Sequence, residues 1–291
     1  MKRILITGAG SFVGTSVDRY LKQWPERYAV DTVDMLDSSW RETDFSGYDT
    51  VFHVAGIAHS DSGKISEERK ELYYKVNTEL VEETAVKAKK EGVKQFVFMS
   101  SAIVYGNSGS IGKQKRITRQ TPVLPQNCYS DSKVQAEKRL AALENESFGV
   151  VILRPPMIYG KGCKGNYPLL AKIARRLPLF PYVDNERSAL YVVNLAEFVR
   201  LMIENEERGI FWPQNSEYIN TSVLVKLIAQ VHGRKLYLMK GFEWILRLMS
   251  RFTGLVNKAF GNLIYDEEMS RYKTEYCLKD LKTSIAETEG M

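Results

Sequence analysis

Ile4-Leu5-Ile6-Thr7-Gly8-Ala9-Gly10-Ser11-Phe12-Val13-Gly14, almost at the start of the chain, is the stretch that decides the fold. A short apolar run bounded by glycine reads as a buried strand, and the residues after the turn read as a helix. Glycine there lets the backbone turn sharply and come close to a pyrophosphate, whose charge then sits at the N-terminus of the helix. A glycine-rich turn alone is weak evidence. This one follows a strand, precedes a helix and opens the chain, which is the context that gives it meaning. Gly8, Gly10, Ser11, Phe12, Val13 and Gly14 are therefore the expected phosphate cradle.

Working outward, further apolar runs at Tyr28–Val33, Thr50–Ala55, Gln95–Ser100 and Val150–Arg154 read as strands. Between the later ones lie amphipathic stretches: Tyr74–Glu91, with Val76, Leu80, Thr84 and Ala88 at helical spacing, and Ser130–Glu144. Strands alternating with helices predict an α/β protein, a Rossmann-type doubly wound parallel sheet. After Gly160 the texture changes, with Gly, Pro and Asn around Lys161–Pro168 and an interruption at Trp212-Pro213-Gln214-Asn215. Residues 1–160 are read as the dinucleotide-binding domain, with part of the later chain, around 187–205, returning to it. Residues 161–291 are read mainly as a smaller C-terminal substrate lobe at the carboxyl edge of the sheet, where open α/β folds bind ligands.

The second strand ends at Val33-Asp34-Met35, about 20 residues past the last glycine of the turn. A carboxylate there accepts from both ribose hydroxyls and repels a 2′-phosphate, so Asp34 points to NAD, with NADP less favoured. Asp37 competes for the same role, and Arg41 is the nearby cation that would receive a 2′-phosphate. Tyr129-Ser130-Asp131-Ser132-Lys133 carries the chemistry. Residues four apart share a helix face, so the phenol and the ammonium lie side by side. A free tyrosine is a poor base at neutral pH, and an adjacent ammonium favours its phenolate.

The sequence resembles, over essentially its whole length, an extended short-chain dehydrogenase/reductase of the NAD-dependent epimerase/dehydratase type. The opening T-G-x-x-G-x-x-G matches Thr7 to Gly14, except that Ser11 stands at the middle glycine and Gly10 lies one place early. Thr43-Asp44-Phe45 is similar to the segment that holds adenine, and Val51-Phe52-His53-Val54-Ala55-Gly56 to the strand beneath the nicotinamide ribose. Asn77 matches the family's helix asparagine. The resemblance thus adds Asp44, Phe45, Ala55, Gly56 and Asn77 to the expected cofactor site, with Tyr129 and Lys133. Phe98-Met99-Ser100-Ser101-Ala102-Ile103-Val104-Tyr105-Gly106 resembles the family's Ser-Ser-x-x-Val-Tyr-Gly, in which the second serine, here Ser101, holds the substrate oxygen. Ser101, Tyr129 and Lys133 are then the implied catalytic residues.

Leu153-Arg154-Pro155-Pro156-Met157-Ile158-Tyr159-Gly160 resembles the strand-end motif L-R-P-x-N-x-Y-G. Beyond it, Asn166 and Arg187 match positions that grip a nucleotide diphosphate, and an arginine fork suits phosphate oxygens. His59 falls near the expected sugar position. Met157 replaces the asparagine common in 4-epimerases, and Ala102-Ile103 replaces the acidic pair of 4,6-dehydratases. The expected activity is NAD(P)-dependent hydride transfer at the ring of a nucleotide-diphospho-sugar, with a slight lean to a 4-keto-reductase. The alternative is a UDP-sugar 4-epimerase, and the distant one is a silent dinucleotide sensor.

At 291 residues, with 44% hydrophobic and 26% charged residues, the composition is that of globular protein. The balance of 41 Lys and Arg against 35 Asp and Glu gives +6, but its longest clusters, Lys87–Lys90 and Lys113–Arg116, read as solvated faces, and no nucleic-acid motif accompanies them. Three cysteines without paired spacing predict neither a disulfide framework nor a zinc site, so no metal is expected. With no signal segment or membrane span, the expected location is the cytoplasm, and the family implies a homodimer through the helices at Tyr74–Glu91 and Ser130–Glu144. Phe242–Phe252 is apolar, aromatic and basic. It is read as a helix packed in the lobe, with contact to a membrane surface as the lesser reading.

Overall fold

The computed structural model describes residues 1–57, 65–249 and 254–290, arranged in two compact units. Residues 1–106, 122–155 and 195–213 form the first unit, and 107–121, 156–194 and 214–291 the second.

The first unit is built on six parallel strands: β1 (Lys2–Thr7), β2 (Tyr28–Val33), β3 (Thr50–His53), β4 (Gln95–Met99), β5 (Gly149–Leu153) and β6 (Gly209–Phe211). Their spatial order is β6-β5-β4-β3-β1-β2, with Ile4 opposite Val30 on one side and Thr50 on the other. The order reverses at β1, which places the crevice for a ligand past the carboxyl ends of β1 and β3. The central strands β3, β4 and β5 are buried at every residue, which is why they read as continuous apolar runs, whereas the edge strands β2 and β6 are only partly buried. Leu5, Val51, Phe96, Phe98, Val150 and Ile152 form one face of the core with Val81, Ala85, Ala88, Ala136 and Leu140. Those helical residues belong to α3 (Leu80–Lys90) and α4 (Cys128–Leu143), which follow α1 (Phe12–Leu21) and α2 (Glu67–Tyr74) in the chain. Tyr20 of α1 donates to Glu197 on the helix Val192–Glu204.

Two features stand out beside the expected strands and helices. The segment between Val33 and Thr50 forms only a 3-10 turn at Ser38–Glu42, too short for a crossover helix and a further strand. Trp40 and Phe45 from that segment fold into the core instead, both essentially unexposed. The helix expected from Tyr74 is likewise not uniform. Lys75–Glu79 between α2 and α3 is a π-helical turn, and it carries Asn77. Such turns concentrate at functional sites because they re-aim a side chain.

The clusters read as solvated faces are partly tied down. The Lys87 ammonium pairs with Glu91 and lies over the Phe45 ring, and Lys89 donates to the Leu143 carbonyl.

The second unit holds helices Asn166–Ala174, Thr221–Val231 and Leu281–Glu289 and three short parallel strand pairs. Met157–Tyr159 pairs with Ala189–Tyr191, Leu179–Pro181 with Tyr237–Met239, and Arg116–Ile117 with Ile264–Tyr265. Of the stretch Phe242–Phe252, residues 250–252 lie outside the described residues, and the rest forms the helix Glu243–Met249. That helix buries none of its residues, and Trp244 is 67% exposed. It packs in part: Ile245 and Leu246 are half-buried, and Arg247 lies against Gly112. No helix among the described residues is long and apolar enough to cross a membrane. Cys128, Cys163 and Cys277 are free thiols.

Candidate active site

The glycine turn has the conformation its sequence requires. Gly8 and Gly10 adopt φ of +84° and +74°, a region costly for other residues. A Cβ on Gly8 would lie 2.9 Å from the Ala55 nitrogen, so β1 and β3 approach each other there as closely as backbone allows. Ser11, at the position of the missing glycine, is extended at φ −69° and needs no glycine. Its Oγ caps α1 by accepting from the Gly14 N–H at 3.1 Å. Capping satisfies one donor of the first turn and leaves the N–H groups of Phe12 and Val13, which helix geometry gives no internal acceptor, for an anion. Below the turn, Thr7 Oγ1 bonds His53 Nδ1 at 3.0 Å and ties the two strand ends together. Full burial pushes His53 down to about 3, so it stays neutral.

Asp34, exposed beyond β2, accepts from the Leu36 N–H at 3.0 Å, while Asp37 caps the 3-10 turn. Arg41 is engaged: its Nε and Nη2 donate to the two oxygens of Glu83, and its guanidinium lies 4.8 Å over Trp40. Asp44 accepts from Ser46 N–H, and Phe45 N–H donates to Glu91. The Phe45 ring is core, so this segment offers a ligand Asp44 and backbone groups.

The helix that carries the pentapeptide starts where its sequence says. Asn127 and Ser130 form a reciprocal capping box, which fixes Tyr129 in the first turn of α4 and Lys133 one turn on. Both are buried, at 9% and 6% exposure. Tyr129 is pushed up to about 12 by burial, and the side chain of Ser101 pulls it the other way. This differs from the expectation that Lys133 lowers the phenol. The Lys133 ammonium donates instead to the Met99 carbonyl at 2.9 Å and lies 4.7 Å over the Phe98 ring. Burial brings Lys133 down to about 8, opposed by Glu137. Ser101, directly beyond β4, begins the 3-10 turn Ala102–Tyr105 by accepting from Ile103 N–H. Asn77 joins the pieces. Its Oδ1 accepts from Ile57 N–H at 2.8 Å, and its Nδ2 donates to the Ile57 carbonyl and to Ser132 of α4.

A Cβ on Gly56 would meet Asn77 Oδ1 at 3.0 Å and Lys133 Nζ at 3.4 Å. Only glycine keeps that space clear above the lysine. The first unit thus brings Ser101, Tyr129, Lys133, Asn77, Gly56 and the glycine turn to the carboxyl ends of β1, β3 and β4.

Residues 4–211 match the NAD dependent epimerase/dehydratase family. The chain belongs to that family. It is 28% identical over 289 residues to a UDP-glucose 4-epimerase of Vibrio cholerae, covering 91% of this chain and 87% of that one. It is 29% identical over 252 residues to an N-acetyl-α-D-glucosaminyl-diphospho-ditrans,octacis-undecaprenol 4-epimerase of Escherichia coli O157:H7, covering 80% and 73%. A solved UDP-glucuronic acid 4-epimerase of Bacillus cereus, in complex with NAD, shares the fold at a TM-score of 0.73 and 16% identity, covering 99% and 97%. The protein is thus an enzyme of the nucleotide-sugar epimerase, dehydratase and reductase group.

In the second unit, Asn166 opens its helix behind Gly165, at φ +94°. Arg187 is half-buried. Its backbone bridges to Ile219 and Leu263, its Nη1 donates to the Ala259 carbonyl, and burial lowers it to about 10. His59 lies outside the described residues. Sequence reasoning overlooked the buried carboxylate Glu137, although its spacing of four from Lys133 was readable, and Tyr73, whose ring sits 6.0 Å from that of Tyr129.

Proposed function

We propose that the protein is a 4-epimerase of a diphosphate-linked sugar that works with NAD. The observation that carries this reading is the assembly of Ser101, Tyr129 and Lys133 at the switch-point edge of the sheet, beside the glycine turn. The residues fit the cofactor: the turn offers backbone N–H groups to a pyrophosphate, and Gly56 leaves room over Asn77 and Lys133. NAD held there would supply reversible hydride transfer with the sugar ring. Tyr129, once ionised in the loaded site, would accept the proton of the 4-hydroxyl and give it back to the same oxygen on the return step. Ser101 holds the same oxygen, and Lys133 supplies positive charge and a ribose contact. Asn77 keeps α4 in register with the end of β3.

The inverting activity, rather than the net reduction that the sequence slightly favours, is supported by the names of the two relatives, both 4-epimerases of a sugar joined to a diphosphate. Net 4-keto reduction is the second reading, carried by Met157 in the place of asparagine. Absorbance of the purified protein separates them: retained NAD supports the epimerase, and an empty site that oxidises added NADH supports the reductase. Val86 on α3, exposed, supports the homodimer through the helices at Tyr74–Glu91 and Ser130–Glu144, and a monomer by light scattering excludes it.

Asp34 sets the cofactor. Its carboxylate repels a 2′-phosphate, and Arg41 is already engaged by Glu83. NAD(H) is expected to bind at least tenfold more tightly than NADP(H), about 1.4 kcal/mol. Equal affinities in a fluorescence titration would mean that Asp34 points elsewhere.

Arg187 is proposed to grip the diphosphate, with Asn166 at its helix start. Arg187→Ala is expected to weaken nucleotide-sugar binding about ten- to hundredfold, the worth of a charge-assisted bond, while NAD affinity is unchanged. Unaltered UDP affinity by calorimetry removes Arg187 from the site.

A further inference from the structure

Behind Lys133 lies a buried polar network that the proposed chemistry does not use. Glu137, one helical turn beyond Lys133, is 6% exposed, and Arg154 at the end of β5 is 7% exposed. Arg154 grips the carboxylate through two of its nitrogens, Nε to Oε1 at 3.1 Å and Nη2 to Oε2 at 2.6 Å. Ser100 Oγ donates to the same Oε1. The remaining nitrogen of Arg154 donates to Tyr105 Oη at 2.7 Å, and Trp212 Nε1 donates to that oxygen as well. Five side chains from α4, the ends of β4 and β5, the 3-10 turn and the segment after β6 are therefore linked in one chain of hydrogen bonds, in which Arg154 and Ser100 hold the Glu137 carboxylate.

A buried ion pair is weak evidence of stability, because desolvation of two charges offsets their attraction. Its place in the fold says more. Ser100 directly precedes Ser101, and Glu137 shares the helix face of Tyr129 and Lys133 at successive spacings of four. One carboxylate thus fixes the strand end that bears Ser101 against the helix that bears the other two.

We propose that Glu137 is a positioning residue of the active site, whose carboxylate, pinned by Arg154 and Ser100, holds the helix that bears Tyr129 and Lys133 in register with the strand end that bears Ser101. The groups around Lys133 leave its charge to the same carboxylate. Tyr129 on the same helix is protonated at neutral pH, and Tyr73 on α2 faces the Tyr129 ring. His53 on β3 is neutral, Asn77 does not titrate, and Arg154 is a cation whose fork is turned to Glu137. Glu137 is the anion of the set, and it works against the burial that drives Lys133 towards its neutral form. The inference rests on the reading that Lys133 holds the cofactor, and its test needs no sugar substrate.

NADH affinity, followed by fluorescence between pH 6 and 10, is expected to fall in the wild type as Lys133 loses its proton. Glu137→Gln should move the midpoint of that fall about one pH unit lower, and Glu137→Asp should restore most of it. If the single variant fails to fold, because it strands Arg154, Glu137→Leu with Arg154→Met removes both charges and keeps the core apolar; a smaller displacement in the same direction is expected, since losing the Arg154 cation partly offsets losing the carboxylate. Tyr105→Phe, which loosens the network without touching the carboxylate, should lower the melting temperature and leave the midpoint in place. A midpoint unchanged in every folded Glu137 variant, with losses of stability matching that of Tyr105→Phe, would make Glu137 a structural residue only and overturn the proposal.

Discussion

Tyr129→Phe is expected to lower turnover about 10²- to 10⁴-fold, the usual contribution of a positioned acid–base group, while the fold and NAD binding survive. The substitution keeps the ring against Tyr73 and removes only the hydroxyl. A residue 9% exposed would otherwise be expected to cost stability when changed, so retained melting temperature with lost turnover is the informative combination. The free protein holds the phenol near 12, above the ordinary tyrosine value, because burial outweighs the neighbouring serine. The proton is therefore present at neutral pH in the absence of ligands, and turnover is expected to rise with pH on its acid side as the loaded site releases it. Near-full activity of the folded variant on the true substrate would remove Tyr129 from the mechanism.

Lys133→Met is expected to do two things in opposite directions. Cofactor affinity should fall ten- to hundredfold with the loss of a charged donor, and turnover with it. The protein without cofactor should become more stable. The ammonium titrates near 8 in the fold against 10.5 for an exposed lysine, a difference worth about 3 kcal/mol of destabilisation while the group is charged. Losing the bond to the Met99 carbonyl takes back about 1 kcal/mol. The lysine is protonated in both states below pH 8, so the advantage of methionine is full there. It disappears as pH rises towards 10.5, where the wild-type lysine is neutral folded and unfolded alike. Thermal unfolding of both proteins at pH 7 and pH 10 measures this, and a variant that melts lower than the wild type at pH 7 contradicts it.

Much of the first unit was legible because the signals are local. An apolar strand, a glycine turn and a helix lie within the first 21 residues, and the capping box at Asn127 and Ser130 starts α4 where the pentapeptide needs it. The fold of the short segment from Asp34 to Asp49 was not legible, because it is set by burying Trp40 and Phe45, a tertiary event without periodicity. Nor does helical spacing reveal the π-turn at Asn77, which changes the aim of one side chain while the amphipathic pattern continues on either side. The charge state of the catalytic pair was misread for a related reason. Spacing puts Tyr129 and Lys133 on one face, but Met99 and Phe98 at the end of β4 draw the ammonium to themselves. Glu137 and Arg154, 17 residues apart in the chain, become a pair only once β5 lies beside β4.

The most direct measurement follows the ring hydrogen at C4. The protein, supplied with NAD, is incubated in deuterium oxide with UDP-glucose, UDP-N-acetylglucosamine and a diphospho-lipid-linked N-acetylglucosamine, and the sugars are examined by proton NMR. The account predicts that one of them is converted to its 4-epimer with the C4 proton retained, because the hydride leaves to the cofactor and returns from it. Deuterium at C4 in the product, or no inversion of any diphosphate-linked sugar by protein that binds NAD, contradicts it.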